Sequence, residues 1–411
     1  MKRYVIIGGG AAGTSCAEAV RRTDPQGEIT LVSQERVSGY GRPLISYYLE
    51  GKTDIPRMSR VGLGFYERNC ITALHGVGAA SLDAAAHRVT LEDGRQLPYD
   101  ALCLCTGSFP FSPRFEGIET VPRRFFFTTL EDALALEQAV TKESRVLIVG
   151  AGFIGLKCAE GLRDRAGSIT VCDLADRAMS VSLDGQCSVI LERHLEKNGI
   201  RLMLGNTAAR FEGGCAVMQH GERVDFDILV IAIGVRPATS LAAQAGAAIG
   251  RGITIDETGK TSLPDVWAAG DCTESTELTT GQTAVMAILP NAAQQGECAG
   301  INMAGGSAVF TAGMRMNSIG FFGLHVMSAG TCQGDAAFCE VTETSCRKLY
   351  VQEGVLKGYV LIGDVRKAGI YTAMIRDRVP LEGVDLEAVG REPSLLPLGQ
   401  ATRRRKLGGV V

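Results

Sequence analysis

Apolar residues open the chain as a short unbroken run, Tyr4-Val5-Ile6-Ile7, which then gives way to glycine. A run of this length bounded by a turn signal predicts a buried strand. Helical spacing follows over residues 11–22, and Glu28-Ile29-Thr30-Leu31-Val32-Ser33 reads as the next strand. The same β-α-β order recurs at residues 145–173. There Arg145-Val146-Leu147-Ile148-Val149 predicts a strand, a helix runs to about 165, and Ser168-Ile169-Thr170-Val171-Cys172-Asp173 predicts a second strand. Two such units far apart in one chain point to two nucleotide-binding domains rather than a solenoid.

Between them, residues 70–100 predict short strands, with Glu92-Asp93-Gly94 as a hairpin signal. Residues 131–141 predict a helix, as do residues 291–304, the latter ended by Gly305-Gly306. Beyond 306 the pattern changes to short strands, with a hairpin over 351–363 and Gly354 at its turn. The tail from about 392 predicts loose order. The fold class is α/β: two Rossmann-like dinucleotide-binding domains plus a C-terminal α+β domain. The expected division is 1–115 with 240–305, then 116–239, then 306–411.

With 45% hydrophobic and 21% charged residues, the 411-residue chain has material for several cores. A net charge of −3 argues against a nucleic-acid binder. The basic quartet Arg403-Arg404-Arg405-Lys406 reads as a solvated tail, or as a dock for an acidic carrier protein. The chain enters a strand almost at once, leaving no room for a signal peptide, and no apolar run reaches the roughly 20 residues that span a bilayer. The expected location is the cytoplasm. Thirteen cysteines include no C-x-x-C pair, and their spacing supports no metal cluster. Most of them read as reduced, buried, small apolar residues.

Gly8-Gly9-Gly10-Ala11-Ala12-Gly13 fits G-x-G-x-x-G between a strand and a helix. Gly8 permits the tight turn, Gly10 lets backbone approach a pyrophosphate, and Gly13 lets helix and strand close up. The helix start offers free N–H groups and a positive dipole end, on which Ala11 and Ala12 lie. Glu35, about twenty residues on, supplies a carboxylate for ribose hydroxyls. Gly150-Ala151-Gly152-Phe153-Ile154-Gly155 repeats the pattern, and Asp173 ends the following strand. An acid there accepts ribose hydroxyls and repels a 2′-phosphate, favouring NADH over NADPH. Arg177 is placed either to blunt that preference or to sit idle on the surface.

These two fingerprints in this order resemble the FAD-dependent pyridine nucleotide oxidoreductases, flavoproteins with two dinucleotide-binding domains. Tyr99-Asp100-Ala101-Leu102-Cys103-Leu104-Cys105-Thr106-Gly107 is similar to the family's segment before the crossing to the NAD domain, and Ile231-Ala232-Ile233-Gly234-Val235-Arg236-Pro237 to its return crossing. Val266-Trp267-Ala268-Ala269-Gly270-Asp271-Cys272 resembles the second FAD signature, which implies that Asp271 binds the ribityl chain. The resemblance covers residues 1 to about 305 strongly. It implies FAD contacts at Thr106, Gly107 and Gly270, with Ala79 grouped beside them, and an NAD contact at Gly234. Leu289-Pro290-Asn291-Ala292 resembles the start of the helix that points at the flavin pyrimidine, implying Asn291 and Ala292.

Within the family, Gly39-Tyr40-Gly41-Arg42-Pro43-Leu44-Ile45-Ser46 resembles rubredoxin reductases and the flavin half of assimilatory nitrite reductase, which places Arg42 and Pro43 beside the flavin or its pyrophosphate. No cysteine lies between Cys16 and Cys70, so thiol–disulfide chemistry at the flavin lacks a nucleophile. Many relatives carry Glu where this chain has Lys157. That change either disturbs nicotinamide placement or is absorbed by pairing with another acid. His75, His87, His194, His220 and His325 fall in no motif; no protein group is assigned as catalyst, the flavin being the reactive group. The expected activity passes electrons from NADH through FAD to a rubredoxin-like or ferredoxin-like protein or a partner subunit. Two alternatives are an NADH oxidase or peroxide reductase and a non-catalytic flavin-binding subunit or redox sensor. A homodimer or a hetero-complex is the expected assembly.

Overall fold

The computed structural model describes residues 1–334 and 336–394. Its frame is a pair of five-stranded parallel sheets. The first runs Val266–Ala268, Ala101–Leu104, Arg3–Ile7, Glu28–Ser33, Ile71–His75; the second runs Ile200–Leu204, Ser168–Asp173, Arg145–Val149, Ile228–Ile231, Arg124–Phe125. In each, the central strand is the one that leads into a glycine fingerprint. Ile6 lies between Leu31 and Cys103, as Ile148 lies between Val171 and Val230. Both faces of these strands are covered, which is why they read as unbroken apolar runs instead of alternating ones. Trp267, on the edge strand of the first sheet, is buried with its indole N–H unpartnered.

Each half carries a three-stranded antiparallel meander: Ala79–Asp83, Arg88–Leu91 and Gln96–Pro98 in one, Ala208–Glu212, Cys215–Met218 and Arg223–Asp225 in the other. Gly94 turns the predicted hairpin at φ +85°. The two halves are joined where Ser108–Pro110 pairs antiparallel with Val235–Pro237.

The helix Ala11–Thr23 lies against Leu289–Met303 at unusually close range. A Cβ on Gly296 would stand 2.1 Å from the Ala12 carbonyl oxygen, and one on Gly300 2.4 Å from that of Cys16. Two glycines four residues apart thus form a groove for two small residues four apart on the partner. The helix begins at Leu289, two residues before the expected start, because Pro290 occupies the first turn, where its missing N–H costs nothing.

Residues 306–313 run along this half, with Phe310 N–H bonded to Glu257 and Gly313 N–H to Thr276, before an antiparallel sheet begins at Met316. That sheet runs Met316–Phe321, Leu324–Gly330, Val355–Ile362, Cys346–Gln352, Phe338–Val341. Gly354 turns its last hairpin at φ +70°. One face is covered by the helices Ala368–Arg376 and Leu386–Arg391 through Tyr371, Met374 and Val389. The other face, with Phe321, Val326, Tyr350 and Val360, shares a core with Leu156, Leu191 and Leu195 of the second half. Among the described residues no helix is long and apolar enough to cross a membrane. The basic quartet 403–406 and most of the expected loose tail lie outside the described residues.

Candidate dinucleotide sites

The two fingerprint turns are near-duplicates. Gly8 and Gly150 take φ +118° and +117°, values open to glycine. A Cβ on Gly8 would stand 2.0 Å from the Cys105 carbonyl oxygen, and one on Gly150 2.3 Å from that of Ala232. Gly13 is pressed to 1.8 Å of the Gly8 oxygen on the same test, and Gly155 to 1.9 Å of the Gly150 oxygen. Gly10 and Gly152, by contrast, face open space with nothing within 4 Å. Both head their helices without a side-chain cap, so first-turn N–H groups at Ala11 and Ala12, and at Phe153 and Ile154, are left to a ligand.

At the first turn the structure brings several predicted residues together. Gly270, at φ +85°, fits between Ala12 and Ala292, whose Cβ atoms would lie 2.9 and 3.5 Å from an added Cβ. Two helix starts therefore converge on the Gly270-Asp271 backbone. Gln295 holds that backbone, its Oε1 accepting the Gly270 N–H at 2.8 Å and the Thr273 hydroxyl at 3.1 Å. Sequence reasoning missed Gln295, a polar residue inside a predicted helix, because only the fold puts it opposite Gly270. Asn291 is buried nearby, its amide donating to the Met314 carbonyl at 3.4 Å. Asp271 accepts from Ser108 at 3.4 Å. Burial raises its carboxyl above the ordinary range, while the Arg42 guanidinium pulls the other way.

Arg42 links this group to Glu35, with which it forms an ion pair, and donates to the Thr128 carbonyl at 3.1 Å. Tyr40 donates its hydroxyl to the other Glu35 oxygen and accepts the Leu130 N–H at 2.9 Å. Glu35 is raised by burial, against the lowering effects of Arg42 and Tyr40. Each carboxylate oxygen keeps a lone pair for a further donor. Pro43 sits in the first turn of the short helix Arg42–Leu44. Ala79 follows residues 76 and 77, whose N–H groups bond the carbonyls of Glu35 and Ser33, so its strand starts beside the Glu35 loop. Thr106 donates to Ala238 at 2.6 Å, tying the outgoing crossing to the returning one, and Gly107 beside it takes φ +68° over open space.

At the second turn Asp173 receives the Ala151 N–H at 2.6 Å on Oδ2 and the Ala175 N–H at 2.8 Å on Oδ1. Arg177 is turned to Asp176 at 2.8 Å and the Leu183 carbonyl at 3.4 Å, away from Asp173. Gly234, at φ +104°, is open on its Cβ side and accepts the Phe111 N–H.

Lys157 stands where all three regions meet. It is 7% exposed, ion-paired with Glu160, 3.7 Å from Glu50 and 4.5 Å above the Tyr47 ring. It also donates to the Gly320 carbonyl at 3.2 Å, while Glu160 accepts the Phe322 N–H. Of the two outcomes expected for Lys157, the structure has the pairing with another acid, and adds Tyr47, Glu50 and the C-terminal sheet as partners. No spacing in the sequence signalled those.

The cradles suit the groups that the fingerprints imply. They are closed behind Gly8, Gly13, Gly150 and Gly155, open in front of Gly10 and Gly152, and lined by uncapped helix N–H donors. Cys272, near Asp271, is a buried thiol pushed up to about 12 by desolvation, so it offers little thiolate at neutral pH.

Paired parallel sheets, each delivering a glycine turn to the start of a helix, define a protein that binds two dinucleotides. Residues 2–296 match the family described as pyridine nucleotide-disulphide oxidoreductase, and the chain belongs to it. It is a flavoprotein oxidoreductase whose cofactors are FAD and NADH. The chain is 28% identical over 408 residues to the epsilon subunit of NADH-dependent phenylglyoxylate dehydrogenase from Aromatoleum evansii, covering 95% of this chain and 96% of that one. It is 32% identical over 311 residues to the probable ferredoxin reductase CtmF of Castellaniella defragrans, covering 74% and 76%. Among solved structures, putidaredoxin reductase in its covalent complex with putidaredoxin matches with a TM-score of 0.86 at 24% identity, over 95% of this chain and 96% of that one.

Proposed function

We propose that this protein takes electrons from NADH and passes them through FAD to an iron–sulfur carrier protein or an iron–sulfur partner subunit. The observation that carries the reading is the segment 39–52 beside the first cradle, which offers Arg42, Pro43 and Tyr47 and no thiol. Without a thiolate there, electrons leave the flavin outward. Relatives matched along nearly the whole chain include a subunit of an NADH-dependent dehydrogenase, which supports a partner-subunit acceptor. FAD supplies two-electron acceptance as hydride and one-electron release, which suits such an acceptor.

In this reading the first cradle holds FAD: Gly8, Gly10, Ala11, Ala12 and Gly13 face the pyrophosphate, Glu35 the ribose, and Gly270 and Asp271 the ribityl chain. Arg42, Pro43, Ala79, Thr106, Gly107, Asn291 and Ala292 complete the site. The second cradle, Gly150, Gly152, Phe153, Ile154, Gly155, Asp173 and Gly234, holds NADH. The protein's contribution is orientation and the exclusion of water, with no acid or base. The division into 1–115 with 240–305, 116–239 and 306–411 belongs to the same proposal, as does assembly as a homodimer or hetero-complex.

The test is anaerobic reduction of the bound flavin by NADH, followed by reoxidation with an iron–sulfur protein or with dioxygen. Bleaching by NADH and fast reoxidation by a ferredoxin-type carrier is the expected result. Reoxidation by dioxygen at the same rate makes the protein an oxidase. A flavin that NADH leaves oxidised makes it a non-catalytic subunit or sensor.

A further inference from the structure

Two buried cysteines outside the dinucleotide cradles are brought together by the fold alone. Cys187 lies in the helix Gly185–Lys197 of the second half, and Cys346 opens the strand Cys346–Gln352 of the C-terminal sheet. They are 159 positions apart in sequence, yet their Sγ atoms lie 2.7 Å apart. That is within about 1 Å of the covalent S–S length of about 2.05 Å. The other close pair, Cys103 and Cys105, is 3.5 Å apart and two positions apart in one short stretch, where bridging would distort the strand. Lys348, 4% exposed and two residues from Cys346, bonds Asp184 and Gln186 at the start of the helix that carries Cys187.

We propose that Cys187 and Cys346 are a modification site, oxidised by a hydroperoxide to a disulfide that staples the second half to the C-terminal sheet. One thiolate attacks the peroxide oxygen, breaking the O–O bond and becoming a sulfenic acid as the alcohol or water leaves. The second thiol attacks that sulfur, forming S–S and releasing water. Two electrons pass from the sulfurs to the peroxide, and reduction by a dithiol reverses the change. Cys187 keeps its proton tightly, through its contact with Cys346 and through burial, so the reaction is slower than at an exposed thiol. The staple lies next to Asp184, which caps the helix Gly185–Lys197 at the end of the loop that follows Asp173.

The experiment treats the flavin-loaded protein with hydrogen peroxide, blocks remaining thiols with an alkylating reagent under denaturing conditions, and maps the peptides. The expected product is one reductant-sensitive peptide pair containing Cys187 and Cys346, formed equally in a C70S/C339S variant that lacks the exposed thiols. The oxidised protein should unfold several degrees higher than the reduced one, and C346A should abolish that rise. Recovery of Cys187 and Cys346 as separate alkylated residues, or their conversion to sulfonic acids, would overturn the proposal. The wild-type peptide map decides the matter even if C346A folds poorly.

Discussion

At Lys157 one buried positive charge is shared among two carboxylates, an aromatic face and a carbonyl oxygen. Such a group is tolerated because every partner is close, and removing one partner strands the rest. Replacing Lys157 by Met should cost about 3–5 kcal/mol, read as a fall in thermal unfolding temperature, because Glu160 would keep its burial without a cation, whereas Glu50 retains Lys52. The double variant K157M/E160M should recover much of that loss; if it is as unstable as K157M alone, the ion pair is not the source. Asp173 tests the nucleotide assignment. Asp173→Ala should weaken NADH binding roughly tenfold, as expected for losing hydrogen bonds to a charged acceptor, and should raise the response to NADPH. Titrations of flavin bleaching with each nucleotide measure both. Asp173 was legible in the sequence as a carboxylate at a strand end, while its bonds to the Ala151 and Ala175 N–H groups came only with the fold. The sequence displayed Lys157 only as an oddity, since Glu50 and Gly320 are distant along the chain and approach only when three regions fold together.

Among elements, the contact between Ala11–Thr23 and Leu289–Met303 sets where two helix starts converge. Gly296→Val would push Ala12 away and part the helices, so flavin retention after gel filtration should drop, with an overpacking cost of about 1–3 kcal/mol. A variant that retains flavin at the wild-type level would show that the close approach is dispensable. The helix Gly185–Lys197 carries a pH-sensitive cap. Burial opposes ionisation of Asp184, but the Lys348 ammonium and the Cys187 N–H outweigh it and hold the carboxyl below the ordinary range. A lowered folded value means that the stabilisation is complete above the unfolded value of about 3.9 and is lost as pH falls through the folded value. Asp184→Asn should therefore flatten the stability profile below about pH 4 while lowering the plateau above it, as acid-unfolding curves would show. Element types were readable from the spacing of apolar residues. Which helix faces which was not, because Gly296 and Gly300 gain meaning only from Ala12 and Cys16 across the contact.

For the whole molecule, two halves built on one plan leave the C-terminal sheet as the part that differs. The glycine turns and their order along the chain made the doubled frame legible. The sheet over 316–362 was legible only as short strands, since its buried face is completed by Leu156, Leu191 and Leu195 of another region. Truncation after residue 315 should strip Gly320 and Phe322 from Lys157 and Glu160 and bare that apolar surface. Loss of soluble yield and of cooperative unfolding is the expected outcome, and a truncated chain as stable as the full one would mean that the sheet is an accessory. The edge strand Val266–Ala268 has a different consequence. Trp267 is the single tryptophan of the chain, buried and three residues from Gly270. With FAD held in the first cradle as proposed, its near-ultraviolet emission becomes an intrinsic optical gauge, expected to be dimmed by energy transfer to the isoalloxazine ring and to brighten as that ring departs.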